Sequence, residues 1–387
     1  MVKTDRWCGP SSDVVTGPVK RRQCRTRPAV LAALLPLCYK AVLFFVRAVA
    51  RFCFLFEEGI MLMLRRSFLA VAAALCALTA GAENAKVKVG FIALPSHAPN
   101  FLAKERGFYA EEGLDAELVP FQAAQAMAVA IASGDIDFGV TAVSGGLLNL
   151  AARGDAVRIF GGALTEAKGA PGHALLASKA AFDAGLKSPK DLDGKRFAIT
   201  TQGSSFAYMG AQIAKQEGIA IKPMALNTMP AIAAALQADK VDAAVVQPAF
   251  AADWVAQGAA VEIGRVADFL PDYQVTVLFT SAKRAQDNPQ SLAAFRRGFA
   301  KGAALYNAAL VDKSLSEAEV AAVVADVHRY VFVDKPEAEA ARLIQAGAMR
   351  VSPDAALNRA DVLKQVQWFK DEKLVPDALD GNALLVD

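Results

Sequence analysis

From residue 86 onward, short apolar runs of strand-like pattern alternate with Ala-rich stretches of helical period. Lys86–Leu94 places Val87, Val89 and Phe91 on one face, which predicts a strand. A short helix capped by Asn100 is expected to end before Gly107. Then come a strand at Ala116–Phe121, a helix at Gln125–Ser133 stopped by Gly134, and a strand at Phe138–Thr141. A helix opened by Ser144 and closed by Gly154 leads to a strand at Val157–Gly161. The plan then repeats. Arg196–Thr200 reads as a strand, Gly203-Ser204-Ser205 opens a helix ending at Gly218, and Pro230 begins a helix over Ala231–Ala238. Ala243–Val246 is a strand and a helix runs on to Gly258. Beyond Asn288-Pro289 nearly all is helix, with a capping box at Ser316 and Glu319 and further starts at Asp334 and Asn358. Strands separated by helices imply βαβ units and parallel sheets, an α/β fold.

The chain echoes itself at an offset of 105 residues. Met127–Val143 reads MAVAIASGDIDFGVTAV and Ile232–Pro248 reads IAAALQADKVDAAVVQP. Each gives an Ala-rich helix, a polar turn, an Asp (Asp137, Asp242) and an apolar strand. Any βαβ protein shows some self-similarity. The sharper reading is two lobes of like topology, with the strand ends Thr141 and Gln247 converging on one cleft, since ligands of open α/β sheets lie beyond the carboxyl ends of strands.

The first 82 residues are set aside from the fold. Arg65-Arg66, the apolar run Phe68–Leu78 and Ala80-Gly81-Ala82 give the charged, apolar, small order of a secretory signal peptide over 61–82. Residues 1–60 are expected to be upstream translation or a hydrophobic extension. The alternative is a membrane anchor at 29–56, but Lys40, Arg47 and Arg51 interrupt it, each costing about 2.5–3.5 kcal/mol at a helix centre. Residues 1–82 hold 12 Lys and Arg against 4 Asp and Glu. The remainder therefore has 30 basic and 35 acidic residues and is mildly acidic, whereas the whole chain is +3. Nothing basic is left to suggest nucleic acid as a partner. All five cysteines (Cys8, Cys24, Cys38, Cys53, Cys76) precede the cleavage point. After cleavage, disulfides, thiolate metal sites and a cysteine nucleophile are excluded together.

Three segments carry a family resemblance. Phe101–Leu114 reads FLAKERGFYAEEGL, Ala132–Gly139 reads ASGDIDFG, and Asp191–Arg196 reads DLDGKR with Gly203-Ser204 downstream. In order and spacing they resemble the SsuA/THI5-like (NMT1-type) periplasmic substrate-binding proteins of the nitrate, sulfonate, taurine and thiamine-precursor transport class. The resemblance covers nearly all of residues 86–310. It implies a type 2 periplasmic-binding-protein fold: two βαβ lobes joined by a two-strand hinge, with a helical C-terminal part. Lobe 1 would be 83–178 plus 279–387 and lobe 2 would be 179–278, with crossovers near Leu175–Ser178 and Val277–Ser281. It further implies a monomeric periplasmic protein that closes on a small-molecule ligand and delivers it to the permease of an ABC transporter in the inner membrane.

The loops after the strands supply the candidate ligand contacts. By the resemblance these are Ser96, His97, Gln122 and Thr141 from lobe 1, and Gly203, Ser204, Ser205 and Gln247 from lobe 2. Gly203-Ser204-Ser205 also has a local reason, because the free amides and dipole at a helix start favour an anion; an ordinary Ser cap explains it equally. No Arg or Lys lies in these loops, so the ligand would be singly charged and held by dipoles, or neutral. Phe121, Phe206, Tyr208 and Phe250 could stack on a ring or belong to the core. His173 lies near a crossover and His328 within a C-terminal helix; three distant histidines give no metal spacing. Neither a cofactor nor a metal is implied. No G-x-S-x-G elbow, P-loop or H-E-x-x-H is present. The rival readings are a THI5-like pyrimidine-forming enzyme, whose cysteine-rich motif is missing after residue 76, and a membrane-tethered ligand sensor.

Overall fold

The computed structural model describes residues 83–386 except 123, 154 and 155. The expected signal peptide, the sixty residues before it and the helix stop at Gly154 lie outside the described residues. In chain order the first elements are β1 (Ala85–Phe91), α1 (Ala98–Glu105), α2 (Phe108–Glu111), β2 (Leu114–Pro120), α3 (Ala124–Ser133), β3 (Phe138–Ala142), α4 (Gly145–Ala152) and β4 (Val157–Gly162). There follow β5 (Ala174–Ser178), α5 (Lys179–Asp183), β6 (Arg196–Ile199), α6 (Ser205–Glu217), β7 (Lys222–Ala225), α7 (Met229–Gln237), β8 (Ala243–Val246), α8 (Pro248–Ala256), β9 (Ala260–Arg265) and β10 (Thr276–Ser281). The chain closes with α9 (Ala282–Asp287), α10 (Pro289–Tyr306), α11 (Glu317–His328), α12 (Glu337–Ala346), α13 (Arg359–Asp371) and α14 (Gly381–Leu384). Among the described residues, no helix is long and apolar enough to cross a membrane.

The strands form two five-stranded sheets, ordered β2-β1-β3-β10-β4 and β7-β6-β8-β5-β9. The two orders match strand for strand. In each sheet three parallel strands are followed by one antiparallel strand, β10 against β3 in the first and β5 against β8 in the second. The sequence echo is therefore structural. Asp137 accepts from the amide of Lys88 in the middle of β1 at 2.7 Å, and Asp242 accepts from that of Arg196 at the start of β6 at 2.7 Å. Each Asp also pairs with a guanidinium, that of Arg284 for Asp137 and that of Arg196 for Asp242.

The lobe boundaries differ from expectation. All of β5 belongs to the second sheet and all of β10 to the first, so 178/179 and 278/279 are not where the chain changes sheets. The expected crossovers Leu175–Ser178 and Val277–Ser281 are central strands, buried on both sides by helices, which is why they are so apolar. The chain crosses earlier, through 163–173 and 266–275. These two segments run antiparallel. Val275 donates to the Leu164 carbonyl at 2.9 Å, Glu166 to that of Tyr273 at 2.9 Å, and Asp272 to that of Glu166 at 3.1 Å.

The C-terminal helices pack around the first sheet. Phe295 of α10 stacks on Tyr109 at 5.1 Å and on Phe138 at 4.4 Å between ring centres. Four helix-start readings fare differently. Ser316 and Glu319 form their reciprocal capping box, and Asn358 caps α13. Asn100 is no cap: α1 starts at Ala98, and Asn100 is buried inside it, accepting from the Tyr109 hydroxyl at 2.8 Å. Helix α12 begins after Pro336 rather than at Asp334.

Candidate functional site

Parallel strands of both sheets end at a common seam. From β1 the chain turns through a short 3₁₀ segment, Pro95–His97, directly into α1. Ser96 is half-buried there and His97 is buried. His97 Nδ1 has no hydrogen-bond partner, and burial pulls the imidazole pKa down to about 4. Thr141, the last residue but one of β3, is buried with Oγ1 unpartnered. Gln122, after β2, is exposed.

The second sheet contributes the start of α6. Ser204 is its N-cap: Oγ accepts from the Ala207 amide at 3.2 Å and donates to the Thr201 carbonyl at 2.7 Å. Its hydroxyl is thus committed locally. Ser205 is buried in the first turn, and Gln247 opens α8 without making a side-chain cap bond. Gly203 is partly exposed and meets the other sheet directly. The amide of Gly145, first residue of α4, donates to the Gly203 carbonyl at 2.9 Å. A Cβ on either glycine would lie 3.5 Å from the other's Cα. Two helix N-termini, one from each sheet, therefore meet at one point, where free amides and dipoles favour negative charge. The sequence reading missed Ser144-Gly145-Gly146, although this Ser/Gly helix start mirrors Gly203-Ser204-Ser205.

Beside this point lie residues of the crossovers. Glu166 Oε1 accepts from the backbone amide of His173 at 3.1 Å and lies 2.6 Å from its ring Nδ1. The Tyr208 ring stacks on Tyr273 at 5.3 Å and meets the edge of Trp368 at 5.2 Å. Burial pushes both tyrosine hydroxyls to higher pKa. Gln274 is the polar hub. Its Nε2 donates to the carbonyls of Leu164 and Thr276 at 3.1 and 2.9 Å, and its Oε1 accepts from the amide of Asn358 at 3.0 Å. Gln365 Nε2 donates to its backbone carbonyl. Of the other aromatic candidates, Phe206 meets His173 edge-on at 5.9 Å, whereas Phe250 pairs with Trp254 on α8. His328 lies against the Val331 carbonyl at 3.1 Å. Among the described residues, no group of three His, Cys, Asp or Glu could hold a metal ion. An open depression of about 850 Å³, lined by Ser133, Arg158, Ser281 and Lys283, lies at the opposite end of the first sheet, away from the seam.

Two sheets of one strand order, joined by paired crossovers and facing each other with their strand ends, make the bilobal α/β fold of periplasmic binding proteins. Residues 94–309 match the NMT1/THI5-like family, and the chain belongs to that family. Solved structures agree on the fold. The alkanesulfonate-binding protein SsuA of Xanthomonas axonopodis pv. citri, bound to MOPS, superposes with a TM-score of 0.60 at 18% identity, over 79% of this chain and 99% of its own. The periplasmic aliphatic sulphonate-binding protein SsuA of Escherichia coli gives 0.61 at 19%, over 78% and 92%. The nitrate-binding protein NrtA of Synechocystis PCC 6803 gives 0.55 at 16%, over 78% and 85%. No curated protein sequence matches the chain.

Proposed function

We propose that the protein is an extracytoplasmic solute-binding protein, which takes up one small ligand at the seam between its sheets and delivers it to an ABC-type permease. The observation that carries this reading is the meeting of α4 and α6 at Gly145 and Gly203, beside two crossover segments about which the sheets can hinge. Ser96, His97 and Thr141 line the ligand from the first lobe. Gly203, Ser205 and Gln247 line it from the second, with Ser204 acting through the helix start it caps. Gln122 closes over it from solvent. Sulfonates, nitrate, pyrimidine-like compounds and small aromatics are the ligand classes to screen, since an alkanesulfonate-binding protein and a nitrate-binding protein share the fold.

The protein acts as a periplasmic monomer without turnover of its ligand. The cysteine-free sequence after Cys76 argues against the pyrimidine-forming chemistry associated with part of the family. The test is a thermal-shift screen of these classes, with mass spectrometry of co-purified compounds before and after incubation. Binding without conversion is the expected result. Conversion of the bound compound, or no shift with any class, overturns the reading. Mass spectrometry of the secreted protein is expected to place its N-terminus near Glu83; recovery of a membrane-bound form carrying residues 1–60 would favour the tethered sensor.

A further inference from the structure

Glu166 and Tyr273 stand directly opposite each other across the two crossovers, linked by the backbone bonds Glu166-to-Tyr273 and Asp272-to-Glu166. Opposed residues of an antiparallel pair project to the same face. Both side chains are buried, at 0% and 1% exposure, yet Glu166 Oε2 and the Tyr273 hydroxyl each lack a hydrogen-bond partner. Unpaired buried polar atoms are costly and call for an explanation. The carboxyl group is otherwise fully engaged, since Oε1 takes both His173 contacts. The bare backbone of Gly172 leaves room for Oε2, with which a Cβ there would collide. Around this pair stand Tyr208, Trp368 and Phe206. Phe206 and Tyr208 belong to the first turn of α6, immediately after Ser204 and Ser205, so the pair adjoins the helix start proposed to receive the ligand.

We infer that Glu166 Oε2, together with the Tyr273 hydroxyl, reads an N–H donor on the ligand: the ligand is an amine or an amino-substituted heteroaromatic, not a bare anion. Oε2 is an acceptor without a donor. The neighbouring phenol can donate to or accept from the same group. The flanking aromatic rings suit either a ring or an ammonium group. This inference rests on the solute-binding reading of the same seam.

Calorimetry with two matched pairs of probes tests it: 2-aminoethanesulfonate against ethanesulfonate, and 4-aminopyrimidine against pyrimidine. In at least one pair the amino member is expected to bind at least tenfold more tightly. Glu166→Gln keeps an acceptor for His173 but sets an N–H donor where Oε2 accepts, so the amino advantage should fall below twofold. Tyr273→Phe keeps the stack and removes only the hydroxyl. It should weaken the amino member at least threefold, and it carries the test if Glu166→Gln does not fold. The pairs also separate an aliphatic ammonium from a ring amine. Equal affinity within both pairs, an amino preference that survives Glu166→Gln in folded protein, or no binding of either amino compound overturns the inference and leaves Glu166 a structural partner of His173. The solute-binding reading survives those outcomes if ethanesulfonate, pyrimidine or nitrate binds. It falls with the inference if nothing in the screen does.

Discussion

His97 enters α1 buried and without a side-chain partner, and its imidazole pKa drops to about 4 as a result. Its residue type suggests a cationic contact whose strength would fall as pH rises through 6.5. Burial removes that behaviour, so ligand affinity should not change through His97 titration between pH 6 and 8. The linkage to stability has a definite sign. The unfolded state, titrating near 6.5, binds more protons than the native state between pH 6.5 and 4. Native stability therefore falls as pH falls through that window, by about 3 kcal/mol at pH 4. Urea melts of wild type and His97→Gln at pH 7 and pH 4 check this: the variant should lose about 3 kcal/mol less on acidification. Equal losses would mean His97 titrates normally in the fold. Gln274 makes a second residue-level case. Gln274→Ala strands the Asn358 amide, worth about 1–3 kcal/mol, whereas the Leu164 carbonyl keeps the amides of Val275 and Thr276. A loss of about 2 kcal/mol in denaturant melts is expected, and one under 1 kcal/mol would show that the hub is not needed.

At the scale of elements, local chemistry was readable wherever it acts locally. The Ser316–Glu319 box, the cap at Asn358 and the β8 span Ala243–Val246 all follow from side chains and patterns within a few residues. What failed depends on tertiary context. Strand β7, Lys222–Ala225, is an exposed edge containing Pro223, so it has neither apolar alternation nor an unbroken ladder to announce it. The segments of strands β5 and β10 entered only as crossovers implied by the family resemblance, and the sheet orders reveal that they are central strands rather than the hinge. Asn100 has the residue type of a cap yet serves Tyr109 from inside a helix. The candidate site was half legible for the same reason: Gly203-Ser204-Ser205 opens a helix by its own chemistry, whereas Glu166 and Tyr273 meet only through the pairing of crossovers about 100 residues apart in sequence. Ser204→Ala belongs at this scale. Losing the cap on α6 should cost about 1 kcal/mol of stability. Because the hydroxyl is spent on the cap, affinity should fall less than tenfold; a larger loss in calorimetry, with unchanged melting, would make the hydroxyl a direct ligand contact.

For the whole molecule, the decisive contact is the one between sheets. Gly145 and Gly203 hold α4 and α6 together through a single backbone bond of 2.9 Å, and neither glycine has the positive φ that would by itself forbid a side chain. A Cβ at Gly203 would sit at ordinary van der Waals distance, 3.5 Å, from Gly145 Cα. Alanine should therefore fit, while the two methyl groups of valine reach into the facing backbone and keep the helix starts apart. If ligand is held by both helix starts together, separating them removes the shared dipole field and the contacts of one lobe while leaving each sheet's core intact. Gly203→Ala should bind within about threefold of wild type. Gly203→Val should lose at least tenfold in affinity, about 1.4 kcal/mol, and show a larger radius of gyration with ligand in small-angle scattering. Wild-type binding by Gly203→Val would place the ligand away from this seam.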